Sequence, residues 1–129
     1  MKKFFIIMSF VFLLISSAFA IPYYSDNQQQ LDTMIEAGEN ILLVFGASWC
    51  GPCQKMKDDV WTDQSIIDLT NTLGVKRFYF DTDQFSSLAS KWGLTTIPTW
   101  LTLKGTEIIE KSGSMTKAGV ERTLAESFQ

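Results

Sequence analysis

The chain has 129 residues, a formal net charge of −3, two cysteines and no histidine. This length suits one domain around one core, and the mild acidity without a basic cluster excludes a nucleic-acid-binding surface. Two cysteines supply only half of the four ligands that a structural zinc site requires, so we expect neither a metal nor a cofactor.

Residues 1–20 have the pattern of a secretory signal peptide. Two lysines are followed by an almost wholly apolar run, which closes with small residues, Ala18 and Ala20, at the two positions that signal peptidase reads. We predict cleavage near Ala20, a mature domain of residues 21–129, and a periplasmic or secreted protein. The alternative is a permanent membrane anchor, for which the run is at the short limit.

The next part of the chain predicts helices around one buried strand. Ser25 is the expected cap of a helix from about Asp26 to Ala37. The continuous apolar run Ile41–Phe45 indicates a strand that is covered on both faces. A helix is expected from about Cys50 to Val60, and a second helical segment begins after Asp63 and ends before Gly74.

The remaining sequence predicts three more strands and two more helices. In chain order these are a strand at Val75–Asp81, a short helix at Gln84–Trp92, hairpin strands at Thr99–Leu103 and Thr106–Lys111, and a final helix at Thr116–Phe128. Strands that alternate with helices indicate an α/β architecture with a central sheet.

The two cysteines, three positions apart, lie where the buried strand gives way to a helix. A disulfide between them closes too short a loop to be an effective structural crosslink, and Gln54 stands where c-type haem attachment requires a histidine. Cys50, at the helix start, faces free backbone N–H groups that favour the nucleophilic thiolate. Cys53 lies one turn later on the same face and can resolve a mixed disulfide. We therefore predict an exposed nucleophile, Cys50, and a more buried Cys53.

The segment Trp49-Cys50-Gly51-Pro52-Cys53 resembles, residue for residue, the active site of the thioredoxin family. The Ile97-Pro98-Thr99 segment resembles the family's cis-proline loop, and Gly113 matches a glycine of its substrate surface. The resemblance implies a thioredoxin fold, with a central mixed sheet of about four strands flanked by helices. It also implies catalytic Cys50 and Cys53 and a substrate-binding surface formed by Trp49, Gly51, Pro52, Ile97, Pro98 and Gly113.

The resemblance further implies an exported thiol-disulfide oxidoreductase that reduces protein disulfides, because Gly-Pro between the cysteines accompanies low potentials in this family. The stretch Gln54–Ile67 is more similar to periplasmic thioredoxin-like domains that pass electrons from membrane thiol-reductant transporters. We therefore expect such a transporter as electron donor, disulfide-containing exported proteins as substrates, and a monomer. Two alternatives are a dedicated thiol donor in one pathway, such as cytochrome c maturation, and a non-catalytic binding module.

Two positions depart from the family pattern. Val44 stands where the family usually has a buried aspartate, and Tyr79 stands where it usually has a lysine. In the family, the aspartate moves the proton of the second cysteine. Its absence here leaves the thiol chemistry intact, but no side chain is assigned as the proton acceptor for Cys53. Trp61, Trp92 and Trp100 are expected in the core or half-buried.

Overall fold

The computed structural model of the protein describes Ile21 and residues 23–129, so the predicted signal segment, residues 1–20, lies outside the described residues. Within the described part of the chain, no helix is both long enough and apolar enough to cross a membrane. The elements in chain order are α1 (Gln28–Glu36), β1 (Asn40–Gly46), α2 (Gly51–Met56), a π-helix (Lys57–Trp61) that continues α2, α3 (Gln64–Thr72), β2 (Lys76–Asp81), α4 (Ser86–Lys91), β3 (Thr99–Lys104), β4 (Glu107–Ser112) and α5 (Lys117–Phe128).

The sheet has the strand order β2-β1-β3-β4. β1 runs parallel to β2 and antiparallel to β3, and β3 and β4 form an antiparallel hairpin. Gly105 turns the hairpin with a positive φ of 57°, a backbone conformation that glycine adopts without steric cost. This is the four-stranded mixed sheet that the resemblance implies.

Alternate residues of β1 enter two separate apolar clusters, because successive side chains of a strand point to opposite faces. On one face, Leu42 and Val44 pack under the π-helix, α3 and α5. On the other face, Leu43 and Phe45 pack under α1 and α4. Every residue from Ile41 to Phe45 has at most 1% of its surface exposed, which confirms the prediction of a strand covered on both faces. We call the side of the sheet on which Leu42 and Val44 pack the Val44 face.

The first helix begins later than predicted, with Asn27 as its cap in place of Ser25. The side chain of Asn27 accepts a hydrogen bond from the backbone of Gln30 at 3.0 Å. Ser25 is unavailable as a cap because it forms an isolated parallel bridge with Phe78 at the outer edge of β2. The predicted cap Ser25 is therefore wrong, and the helix begins two residues after the predicted start of about Asp26 because a long-range backbone pairing holds Ser25 extended.

The predicted helix from Cys50 to Val60 is α-helical only as far as Met56. The π-helix that follows contains Val60 and Trp61, which are both buried. The ring of Trp61 packs edge-on against that of Trp100, with 5.5 Å between centroids. Trp92 is half-buried, so the expectation for the three tryptophans is confirmed. The π-helix thus anchors the end of α2 at the centre of the Val44 face.

Arg77, in β2, connects three parts of the described chain. One terminal nitrogen of its guanidinium donates to the Thr70 hydroxyl at 2.6 Å and to the Asn71 side-chain oxygen at 2.8 Å. Its Nε donates to the backbone carbonyl of Tyr23 at 3.2 Å. The guanidinium therefore binds the end of α3 and the segment before α1 to the edge strand.

We expect Arg77→Met to lower the free energy of unfolding by about 2 kcal/mol, since a hydrogen bond to a charged group contributes about 1.5–3 kcal/mol. Lys76→Met is the matched control, because Lys76 is the exposed neighbour in the same strand and surface changes usually stay within about 0.5 kcal/mol. Urea unfolding of both variants measures the difference. Equal effects of the two substitutions would contradict a structural role for Arg77.

Candidate active site

The two cysteines form a disulfide at the carboxyl end of β1, with 5.2 Å between their Cα atoms. Cys50 is the cap residue of α2, and its sulfur accepts a hydrogen bond from the backbone N–H of Cys53 at 3.3 Å. The backbone N–H of Cys50 donates to the carbonyl of Ala47 at 3.2 Å. Pro52 occupies the first turn of α2, where its missing N–H leaves no helical bond unmade.

Cys50 is 6% exposed and Cys53 is 1% exposed. The prediction of an exposed Cys50 is therefore wrong for the disulfide form, because Ala47 and Ile97 pack against the sulfur pair. The Cys50 sulfur lies 3.9 Å from the carbonyl oxygen of Ile97. The order is as predicted, since Cys53 is the more buried of the two.

The segment that resembles the cis-proline loop lies against the disulfide. The Ile97–Pro98 peptide bond is cis, as the resemblance implies, and Pro98 itself is buried. Gly113 is adjacent, since a β-carbon built on it would lie 3.5 Å from the carbonyl oxygen of Pro98. The indole N–H of Trp100 donates to the carbonyl of Gly113 at 2.8 Å. Ile97, Pro98 and Gly113, which were assigned to substrate binding and are far from the cysteines in sequence, therefore lie close together beside the disulfide.

The nearby residues at the start of α2 are open to solvent. Gly51 and Pro52 are exposed, and the side chain of Trp49 is 70% exposed. The indole nitrogen of Trp49 donates to a carboxylate oxygen of Asp83 at 2.9 Å. Asp83 follows β2, and sequence reasoning missed it because no local pattern connects it to Trp49. This hydrogen bond orients an exposed aromatic side chain beside the disulfide.

A groove of about 470 Å³ lies on the Pro52 side of the disulfide, between α2 with its π-helix and the start of α5. Its apolar lining is provided by Pro52, Met56, Val60 and Met115. Lys55, Asp59 and Lys117 also line it, and each of these charged side chains is at least 45% exposed. The groove was not predicted from sequence, because its two sides are far apart in the chain.

The two positions that depart from the family pattern are direct partners in the sheet. Val44 in β1 is in register with Tyr79 in β2, both on the Val44 face. Burial and the negative charge of Asp81 raise the pKa of Tyr79 to about 12. Across Ile21 and residues 23–129, no group of three or more Asp, Glu, Cys or His residues is placed to hold a metal ion.

Proteins similar to this chain in sequence or in structure include several thioredoxins. Thioredoxin H1 of Arabidopsis thaliana is 33% identical over 97 residues, which are 75% of this chain and 81% of that protein. The thioredoxin NaTrxh from Nicotiana alata has 26% identity and a TM-score of 0.63, covering 81% of this chain and 89% of the other. The oxidised thioredoxin of Plasmodium falciparum, at 19% identity, a TM-score of 0.64 and coverage of 80% and 94%, supports the fold alone.

Residues 27–127 match the family model of the thioredoxin-like domain. The match runs from the cap of α1 to the last turn of α5 and includes the disulfide at the amino end of α2. The predicted thioredoxin fold is thereby confirmed. The chain belongs to the thioredoxin-like domain family and is a thioredoxin-like disulfide oxidoreductase.

Proposed function

We propose that this protein is exported and that it reduces disulfides in exported proteins through reversible formation of the Cys50–Cys53 disulfide. The observation that carries the proposal is the position of the pair, with the more accessible sulfur next to an exposed surface formed by Trp49, Gly51 and Pro52. A folded or extended polypeptide with a disulfide can approach such a surface, whereas a deeply enclosed pair would admit only small thiols.

The surface around Cys50 suits a peptide substrate. Trp49 offers a large rigid aromatic face, and such residues contribute strongly to protein–protein contacts. The exposed Gly113 adds no side chain that would hold a substrate away from Pro98. The adjoining groove beyond Pro52 extends the apolar area along the π-helix. Together these features support recognition of polypeptide disulfides.

The proposed direction is reduction, and it rests on Gly51 and Pro52 between the cysteines. The proposed electron donor is a membrane thiol-reductant transporter, which would reduce the disulfide again after each turnover. The proposed compartment is the periplasm or the exterior of the cell, and it rests on the pattern of residues 1–20. An oxidising compartment would give a disulfide reductant its substrates.

We expect the wild-type protein to catalyse reduction of insulin by dithiothreitol. Cys50→Ser should abolish turnover because it removes the attacking sulfur. Cys53→Ser should leave the attack intact but accumulate mixed disulfides, since the resolving sulfur is missing. Turbidity measures turnover, and non-reducing electrophoresis with mass spectrometry identifies the trapped species. Mixed disulfides on Cys53 in the Cys50→Ser variant, with turnover retained, would reverse the assigned roles.

Equilibration with glutathione tests the proposed direction. We expect a reduction potential closer to the value of about −270 mV of thioredoxin than to the value of about −120 mV of a strong oxidant. The fraction of the Cys50–Cys53 disulfide at each glutathione ratio is measured by alkylation and mass spectrometry. A potential near the oxidant value would mean that the protein introduces disulfides instead.

Cell fractionation tests the proposed export. In a Gram-negative host, the full chain should reach the periplasm and its mature form should begin at Ile21 by intact-mass measurement. A variant without residues 2–20 should stay in the cytoplasm. Retention of the full chain in the membrane fraction at its uncleaved mass would instead support a permanent anchor.

A further inference from the structure

The hydroxyl of Tyr79 lies beneath the active site, against the backbone of Gly46. A β-carbon built on Gly46 would overlap this hydroxyl oxygen and would also lie 3.3 Å from Cβ of Cys53. One point at the end of β1 is therefore adjacent to both Tyr79 and the resolving cysteine. The absent side chain at Gly46 leaves the space that the hydroxyl fills.

The other groups next to this point lie on β1, β2 and α2. On β1, Val44 is apolar and 1% exposed, and Gly46 has no side chain. On β2, Asp81 is the charged group that acts on Tyr79, and its carboxylate accepts a hydrogen bond from the backbone of Asp83 at 2.8 Å. From α2, Cys53 itself lies next to this point, and the half-buried Lys57 follows one helical turn later. The Tyr79 hydroxyl is thus a side-chain donor that the described structure places beside Cys53.

A buried thiolate without a hydrogen-bond donor is costly, because burial disfavours the charged form. The pKa of Tyr79, about 12, keeps its hydroxyl protonated near neutral pH. The hydroxyl can therefore donate a hydrogen bond but cannot serve as the base that removes the thiol proton. This chemistry suits stabilisation of a negative sulfur.

We propose that the Tyr79 hydroxyl donates a hydrogen bond to the Cys53 sulfur whenever that sulfur is a thiolate. This inference rests on disulfide exchange at Cys50 and Cys53 and is independent of the proposed direction and compartment. It assigns to Tyr79 a role in the resolving step, at a site whose apolar partner Val44 supplies no polar atom.

In the resolving step, Cys53 first releases its proton to water. The thiolate then attacks the Cys50 sulfur of the mixed disulfide, so that the Cys50–Cys53 bond forms and the bond from Cys50 to the substrate breaks. The electron pair of the broken bond leaves on the substrate sulfur, which takes a proton from water. The enzyme dithiol is oxidised and the substrate disulfide is reduced, while Tyr79 neither gains nor loses a proton.

The same hydrogen bond also assists reduction of the Cys50–Cys53 disulfide, which returns the enzyme to its dithiol form. A thiolate of the reductant attacks the Cys50 sulfur, and the Cys50–Cys53 bond breaks with its electron pair on Cys53. The leaving group is then the buried thiolate, which the Tyr79 hydroxyl stabilises. A second thiolate of the reductant attacks the first reductant sulfur and displaces Cys50, so that the reductant dithiol becomes a disulfide. The Cys50 and Cys53 thiolates each take a proton from water, which replaces the two protons that the reductant released.

The test compares Tyr79→Phe with Tyr24→Phe in the reaction of the reduced protein with the aromatic disulfide DTNB. Attack by Cys50 releases the first chromophoric thiolate, and resolution by Cys53 releases the second. Tyr24 is a matched control, because its buried hydroxyl has no hydrogen-bond partner among the described residues and its ring packs on Trp61 in the cluster of the Val44 face.

We expect Tyr79→Phe to slow the second phase about threefold at neutral pH, because a tenfold loss of thiolate is partly offset by the higher nucleophilicity of the more basic thiolate. The pH midpoint of that phase should rise by about one unit, the equivalent of a tenfold change. The first phase should stay unchanged, and Tyr24→Phe should alter neither phase. A second phase with the wild-type rate and pH midpoint would overturn the proposal.

A second measurement does not depend on turnover. Two proteins are compared, the Cys50→Ser variant and the same variant that also carries Tyr79→Phe. In each, the ultraviolet absorbance of the Cys53 thiolate is followed as a function of pH. An upward shift of the midpoint by about one unit in the Tyr79→Phe variant supports the proposal. An identical midpoint overturns it.

Discussion

Burial of β1 on both faces is the constraint from which the rest of the structure follows. An extended strand of large apolar residues needs hydrogen-bonded neighbours on both edges and helices on both faces. β2 and β3 provide the edges, while α1 and α4 on one side and the helices of the Val44 face on the other provide the cover. The carboxyl end of β1 is then held rigidly, and the disulfide begins only a few residues beyond it.

The end of β1 and the turn that follows it position the two cysteines. The turn after Gly46 is held by the backbone carbonyl of Ala47. This carbonyl accepts one hydrogen bond from the backbone N–H of Cys50 and another from the side-chain amide of Gln54. The π-helix then anchors the far end of the active-site helix through Trp61. With both ends anchored, the sulfur pair is packed against Ile97 of the Ile97–Pro98 loop, and such positioning holds reacting atoms in place.

Much of this arrangement could be predicted from local sequence. The run Ile41–Phe45 identified the central strand, and Asp63 was correctly placed at the start of α3. The cysteine spacing between a strand and a helix identified the redox pair. These features depend on neighbours in the chain, for which spacing and residue type carry enough information.

The features that local sequence failed to predict are set by contacts between distant segments. The bridge from Ser25 to Phe78 delayed the start of α1, and the cover provided by Ile97 buried Cys50 more than predicted. The position of Asp83 beside Trp49 has the same origin. The resemblance to a family supplied some of these long-range relations, such as the positions of Pro98 and Gly113, but not the polar group beside Cys53.

The close approach of Tyr79 to Gly46 links two positions that are 33 residues apart in sequence and lie diagonally across the neighbouring strands β1 and β2. The volume of the tyrosine occupies the place where any other residue at position 46 would put its side chain. A larger residue at position 46 is therefore compatible with this backbone only if position 79 becomes smaller or turns away. We expect such exchanges of volume to occur in pairs among related sequences, so that aromatic bulk beneath the disulfide can be supplied from either strand.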